Sequence, residues 1–230
     1  MGRGAMSLRP RLGRGMLNGG ISAGKRRSGA VGLRAVMDEL DDETDEEILE
    51  ALKSGKVGKM EIESFKLSNG EVFKDLVVVY EVHGIINEAG DNVIVHPTGY
   101  GSEHKDVRYR IGRGEKYELD ITDNAVVVVN ILGNGVSSSP SHAGTLSHWQ
   151  YPTIQDNAAL IKMLLEEELN VKAPIKLMTG YGLGGMICLQ YGALYPDRVA
   201  RIAPICATAR TSSYCRVFIK SLWAALKADR

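Results

Sequence analysis

A chain of 230 residues and 25.0 kDa, 44% hydrophobic, is long enough to bury the core of one domain, which excludes disorder throughout. Its 28 Lys and Arg balance 28 Asp and Glu, so no overall field favours nucleic acid or an anionic membrane. No run of 18 apolar residues is present to span a bilayer, and Cys188, Cys206 and Cys215, without C-x-x-C spacing, suggest neither a disulfide framework nor a zinc site.

The charge is segregated. Residues 1–37 hold eight Lys or Arg and no acid, interleaved with Ser, Gly and Ala, and lack the apolar stretch of a secretory signal. That composition is similar to an organelle transit peptide, the alternative being a tail that serves only solvation. Residues 38–50, DELDDETDEEILE, form a dense acidic block, read as a solvated linker or, with Ile48, Leu49 and Leu52 on one face, a short helix. The extension is placed at residues 1–59 and expected to be poorly ordered, with the folded domain at residues 60–230. Localisation follows the leader: mitochondrion or plastid if it targets, cytoplasm if it does not.

From Met60 two strands flank Asn69-Gly70, a strong hairpin signal. NVIVHPT is a short apolar strand, and AVVVVNIL, apolar on both faces, has the character of a central parallel strand. TIQDNAALIKMLLEEELN carries helical periodicity behind a Thr153 cap. PIKLMTGYG is a strand, followed by a helix from about Leu183 to Tyr195, a turn at Pro196-Asp197, a buried strand in VARIAPICATA and a terminal helix in TSSYCRVFIKSLWAALKADR. Strands alternating with helices after a hairpin indicate an α/β sheet with parallel central strands. Cys188 and Cys206 are expected as buried small hydrophobes.

Between the PIKLMT strand and its helix stands Gly180-Tyr181-Gly182-Leu183-Gly184-Gly185. The spacing matches a G-x-S-x-G nucleophile elbow, in which a strand turns sharply into a helix and thrusts the middle side chain outward. Gly180 and Gly184 are in place, but the middle position is Gly182, which carries no attacking atom.

With LSNGEVFKDLVVVYEVHG, INEAGDNVIVHPTGYGSEHKD, GRGEKYELDITDNAVVVVNILGNGVSSSPS, YPTIQDN, GYGLGGM and ALYPDRVARIAPICATARTS in this order, the chain resembles the α/β-hydrolase superfamily, in its homoserine O-acetyltransferase-like branch. The resemblance implies an α/β-hydrolase core whose elbow serine takes an acyl group from acyl-CoA or an ester and passes it to a second nucleophile. It places that serine on Gly182 and the oxyanion-binding backbone N–H groups on Leu183 and Thr98. The family's Asp and His follow a cap beyond the elbow. Here the match breaks off at ALKADR, where that cap would begin, and no histidine follows His148. The expectation is a partial fold lacking the cap and final strands, with no catalytic triad, no cofactor and no metal, inactive or severely impaired as written. An acyl-CoA or ester substrate is expected only for a complete form. A piece of a longer active enzyme and a non-catalytic binding or scaffold protein, as a homo-oligomer or with a protein partner, stand as alternatives.

Other candidates are weaker. Cys206 and Ser137 to Ser139 fall on the expected active-site side without a histidine placed to act as base. His96 and His104 flank the oxyanion loop and are expected at the surface. Gly180, Gly182 and Gly185 also spell the dinucleotide fingerprint G-x-G-x-x-G, but the acid about 20 residues on that would grip a ribose is absent from the end of the next strand, Asp197 standing before it.

Overall fold

The computed structural model describes residues 55–142 and 149–229, so the basic leader and the acidic block lie outside the described residues. Among the described residues the first strand starts at Lys56, ahead of the Met60 boundary that the sequence suggests. Strands β1 (Lys56–Lys66) and β2 (Val72–His83) form the expected antiparallel hairpin. Its turn is closed by the N–H of Gly70 donating to the Leu67 carbonyl, and Gly70, at φ 92°, takes the left-handed conformation that favours glycine.

Next come β3 (Val93–Pro97), a 3-10 helix (His104–Arg110), the two-residue strands β4 (Ile111–Gly112) and β5 (Leu119–Asp120), and β6 (Ala125–Val129). Helix α1 (Ile154–Met163) runs on into a π turn (Leu164–Glu168), followed by β7 (Leu177–Tyr181), α2 (Leu183–Leu194), β8 (Ile202–Ile205) and α3 (Ser213–Ala228). The main sheet has the order β1-β2-β6-β3-β7-β8, antiparallel through β1, β2 and β6 and parallel from β6 to β8. β4 and β5 pair separately.

Strand β6 shows why an all-valine run sits at the centre. Val127 and Val129 belong to the larger core with α1 and α2, while Val126 and Val128 belong to a second core with Val107, Ile111, Leu119 and Ile121. Alternate side chains point to opposite faces, so only a strand covered on both sides can be apolar throughout.

One carboxylate ties the hairpin to α1. Asp156, 3% exposed, accepts from the Ser68 N–H at 2.7 Å and from the Thr153 N–H at 2.7 Å, and Thr153 Oγ1 in turn accepts from the Asp156 N–H at 3.2 Å. Thr153 is thus the cap that the sequence suggests, in a reciprocal box that also holds the hairpin turn.

Two sequence expectations fail at the outer edge. β8 is largely exposed, Ile202 at 39%, and Cys206 is exposed rather than buried; among the described residues no strand pairs with the far side of β8. An apolar sequence reads the same whether or not a neighbour exists to cover it. Cys188, inside α2 against the main core, is fully buried, and burial pushes its thiol up to about 12.

Asp156→Ala is expected to lower stability by about 1–3 kcal/mol, because several donors lose their acceptor at once. Urea unfolding monitored by far-UV circular dichroism checks it, and an unchanged midpoint would show that the tie is not stabilising.

Candidate active site

The elbow forms where β7 hands the chain to α2. Gly182 has φ 51° and ψ −112°, a conformation that L side chains rarely adopt, and a Cβ built there meets nothing within 4 Å. It is anchored from both sides: its N–H donates to the Ile205 carbonyl at 2.9 Å, and its carbonyl accepts from the Met186 N–H at 3.0 Å.

The neighbouring glycines are required for a different reason. None of Gly180, Gly184 and Gly185 has positive φ. A Cβ on Gly184 would lie 2.3 Å from the Pro97 carbonyl oxygen, one on Gly180 2.7 Å from the Gly184 carbonyl carbon, and one on Gly185 2.8 Å from the Gly180 oxygen. They let the first turn of α2 lie directly on the backbone of β7 and β3.

An open cleft of about 470 Å³ lies over the elbow, with His96, Gly99, Arg110, Tyr181, Gly182 and Leu183 among its walls. Leu183 opens α2, where an N–H has no intrahelical acceptor. Thr98 requires a correction. Its N–H donates to the Val129 carbonyl at 2.9 Å and its Oγ1 accepts from the Ile131 N–H at 3.2 Å, so both groups are committed to the end of β6. The next residue, Gly99, lines the cleft, and a Cβ on it would lie 3.3 Å from the Tyr181 carbonyl oxygen.

Both histidines are buried rather than on the surface, His96 at 2% exposure and His104 at 4%. The His104 backbone N–H and its ring both approach Asn130 Oδ1, which fastens the 3-10 helix to the end of β6. His96 Nδ1 is buried with no hydrogen-bond partner. Burial, followed by the nearby Arg110 charge, pushes its imidazole from 6.5 down to about 4, so the ring is neutral at pH 7.

Ser137 to Ser139 serve as backbone substitutes. Ser137 Oγ accepts from the Val79 N–H and donates to the Asn130 carbonyl, Ser138 Oγ accepts from the Val77 N–H, and Ser139 Oγ donates to the Ser137 carbonyl. The Ser137 and Ser138 hydroxyls complete the ladder of β2 past the end of β6 and the Ser139 hydroxyl ties its own loop, which leaves all three engaged in holding backbone. Asp197 sits in an exposed 3-10 turn (Pro196–Arg198) ahead of β8, whereas the elbow follows the opposite end of the parallel strands.

Two clusters carry no sequence signal, because their members meet across the fold. The Arg110 guanidinium lies 4.3 Å from the Tyr181 ring centroid and pairs with Glu118, whose carboxyl it holds below its usual range. Behind the cleft, Glu81 is fully buried and receives two hydrogen bonds to Oε1 from Arg108, at 3.0 and 2.6 Å, with His83 Nε2 lying 3.3 Å from Oε2. Burial opposes its charge, but His83 and Arg108 outweigh burial and hold it down to about 2.

Gly184→Ala should destabilise the protein more than Gly182→Ala, because the first drives a methyl into backbone while the second adds one in open space at a cost of about 1–3 kcal/mol in backbone strain. Thermal unfolding ranks the two, and the reverse order would contradict the close approach. His96 sets a pH dependence. Its folded pKa lies below the unfolded value, so its contribution is fully present above pH 6.5 and is lost as the pH falls toward 4. His96→Asn should therefore lose less stability than the parent between pH 7 and about pH 4.5 in urea titrations; parallel losses would contradict it.

The chain is 31% identical over 166 residues to an ethyl acetate hydrolase of Pseudomonas veronii, covering 71% of this chain and 47% of that protein. It is 32% identical over 173 residues to a homoserine O-acetyltransferase of Trichormus variabilis, covering 72% and 48%. In three dimensions it superposes on an acetylester hydrolase from Corynebacterium glutamicum with a TM-score of 0.70 at 26% identity, over 76% of this chain and 50% of that one. The chain thus spans about half the length of the curated relatives it matches. The profile of the alpha/beta hydrolase fold matches residues 91–225, more than half of the chain and including the whole elbow, and the chain belongs to that family.

Proposed function

We propose that this chain carries the elbow half of an acyl-transfer or ester-hydrolysis site and, as written, binds a carbonyl ligand without forming an acyl-enzyme. The observation that carries the reading is Gly182 itself: the strained elbow conformation is kept, the Cβ position opens onto the cleft, and no nucleophilic atom is there. The acyl group common to the relatives' names is acetyl, which makes a small acetyl ester the ligand of choice. Its carbonyl oxygen would be received by the N–H groups of Leu183 and Gly99, main-chain donors that the loss of a serine side chain leaves intact.

Charge stabilisation of this kind does not replace covalent catalysis. Enzymes stripped of their triad retain about 10³ to 10⁴-fold over water. A serine at position 182 would also need a base. The histidine beside it, His96, is held at about 4, where it is a poor proton acceptor at neutral pH. A second reading, an active acyltransferase or esterase of which this is a part, draws support from the half-length coverage of the relatives.

Gly182→Ser is expected to gain neither p-nitrophenyl acetate turnover nor reaction with a fluorophosphonate probe, followed by intact-protein mass spectrometry. Labelling of that variant at the rate of an intact serine hydrolase would overturn the proposal by revealing a functional base.

A further inference from the structure

Helix α3 stands apart from the rest of the fold. Every side chain from Ser213 to Ala228 is exposed, including Phe218 and Trp223 at 58% and Leu226 at 64%. At 3.6 residues per turn its apolar residues gather on one arc, with Phe218, Leu222 and Leu226 at successive i, i+4 positions and Ile219 beside them. Arg216, Lys220 and Lys227 fall within about 40° of one another along the border of that arc. No Asp or Glu occurs within the helix, the nearest being its C-cap Asp229, and Lys227 Nζ lies 5.5 Å from the Trp223 ring.

The chain contains a segment of opposite character that the proposed function does not use. Residues 38–50 carry nine Asp or Glu, no Lys or Arg, and the apolar residues Leu40, Ile48 and Leu49. Strand register sets the distance from the start of β1 to β8, the strand that precedes α3 in the chain. Lys56 pairs with Val82, Val82 with Val127, Val127 with Val95, Val95 with Met178 and Met178 with Ile202, so the start of β1 lies in one row with the start of β8. Five strand spacings of about 4.8 Å put these points roughly 24 Å apart, the span of about seven extended residues. The acidic block lies six to eighteen residues ahead of Lys56.

We propose that residues 38–50 dock on α3 of the same chain, their carboxylates along the Arg216, Lys220 and Lys227 stripe and their few apolar side chains on the adjoining arc. Tethering favours this occupant over a free one, since a segment joined to the same chain by a few residues is held at about millimolar effective concentration. A basic amphipathic helix would otherwise suit an anionic membrane surface, and an apolar face a second copy of the chain.

Carbodiimide cross-linking of the full chain, which joins carboxylates directly to lysines, tests the proposal by peptide mapping of the monomer band. Adducts between residues 38–50 and Lys220 or Lys227 are expected, weakened by about 0.5 M salt and by Arg216→Gln, which removes one charge of the stripe while leaving both coupling amines in place. Adducts confined to a dimer band would overturn it in favour of a second copy. Adducts spread equally over Lys56, Lys59 and Lys74 would overturn it by showing no preferred site. Co-sedimentation with phosphatidylserine vesicles at about 0.15 M salt, with α3 free of adducts, would assign the helix to a membrane surface.

Discussion

The contact on which the site depends is the meeting of backbones at Gly180, Gly184 and Gly185. Because no side chain separates the first turn of α2 from β7 and β3, the helix starts immediately above the strand ends. This short distance accompanies the unusual dihedral angles at Gly182 and sets Leu183, the first residue of α2, in the wall of the cleft. Strand β8 adds a second restraint, since the Ile205 carbonyl holds the elbow amide. The geometry of the elbow is therefore a property of main chain and sheet, held with no side chain at position 182.

Around the elbow, polar side chains act mainly as scaffolding. Asn130 collects His104 and donates to the Val79 carbonyl, while the serines of the following loop occupy the backbone groups of β2 that a longer β6 would have satisfied. Buried donors and acceptors must be paired, and this seam does so with side chains where the strand runs out. The Glu81 and Arg108 pair similarly closes one end of the layer beneath the 3-10 helix. Arg110, lying over the Tyr181 ring, gives the cleft a buried cation paired with an exposed Glu118.

Much of this was legible in the sequence, where local patterns carry it. The Asn69-Gly70 turn, the Thr153 cap, the all-apolar β6 and the glycine spacing of the elbow each result from physics acting within a few residues. The errors lie where long-range context decides. His96 stands near the end of a short strand and His104 in loop-like sequence, yet both are enclosed by elements distant in the chain, and Ile202 occupies strand-like sequence yet has no outer neighbour among the described residues. The commitment of the Thr98 N–H rests on one hydrogen bond to Val129, which no spacing rule contains.

Strand β8 also bears on how such a sheet avoids unwanted growth. It is only four residues long, includes Pro204, which has no N–H to offer, and follows exposed Arg201. A strand from another molecule that tried to extend the sheet would find a short template, a missing donor and a desolvation cost at the guanidinium. These features discourage fibril-like stacking and direct any association toward partners that bring side-chain complementarity rather than an edge alone.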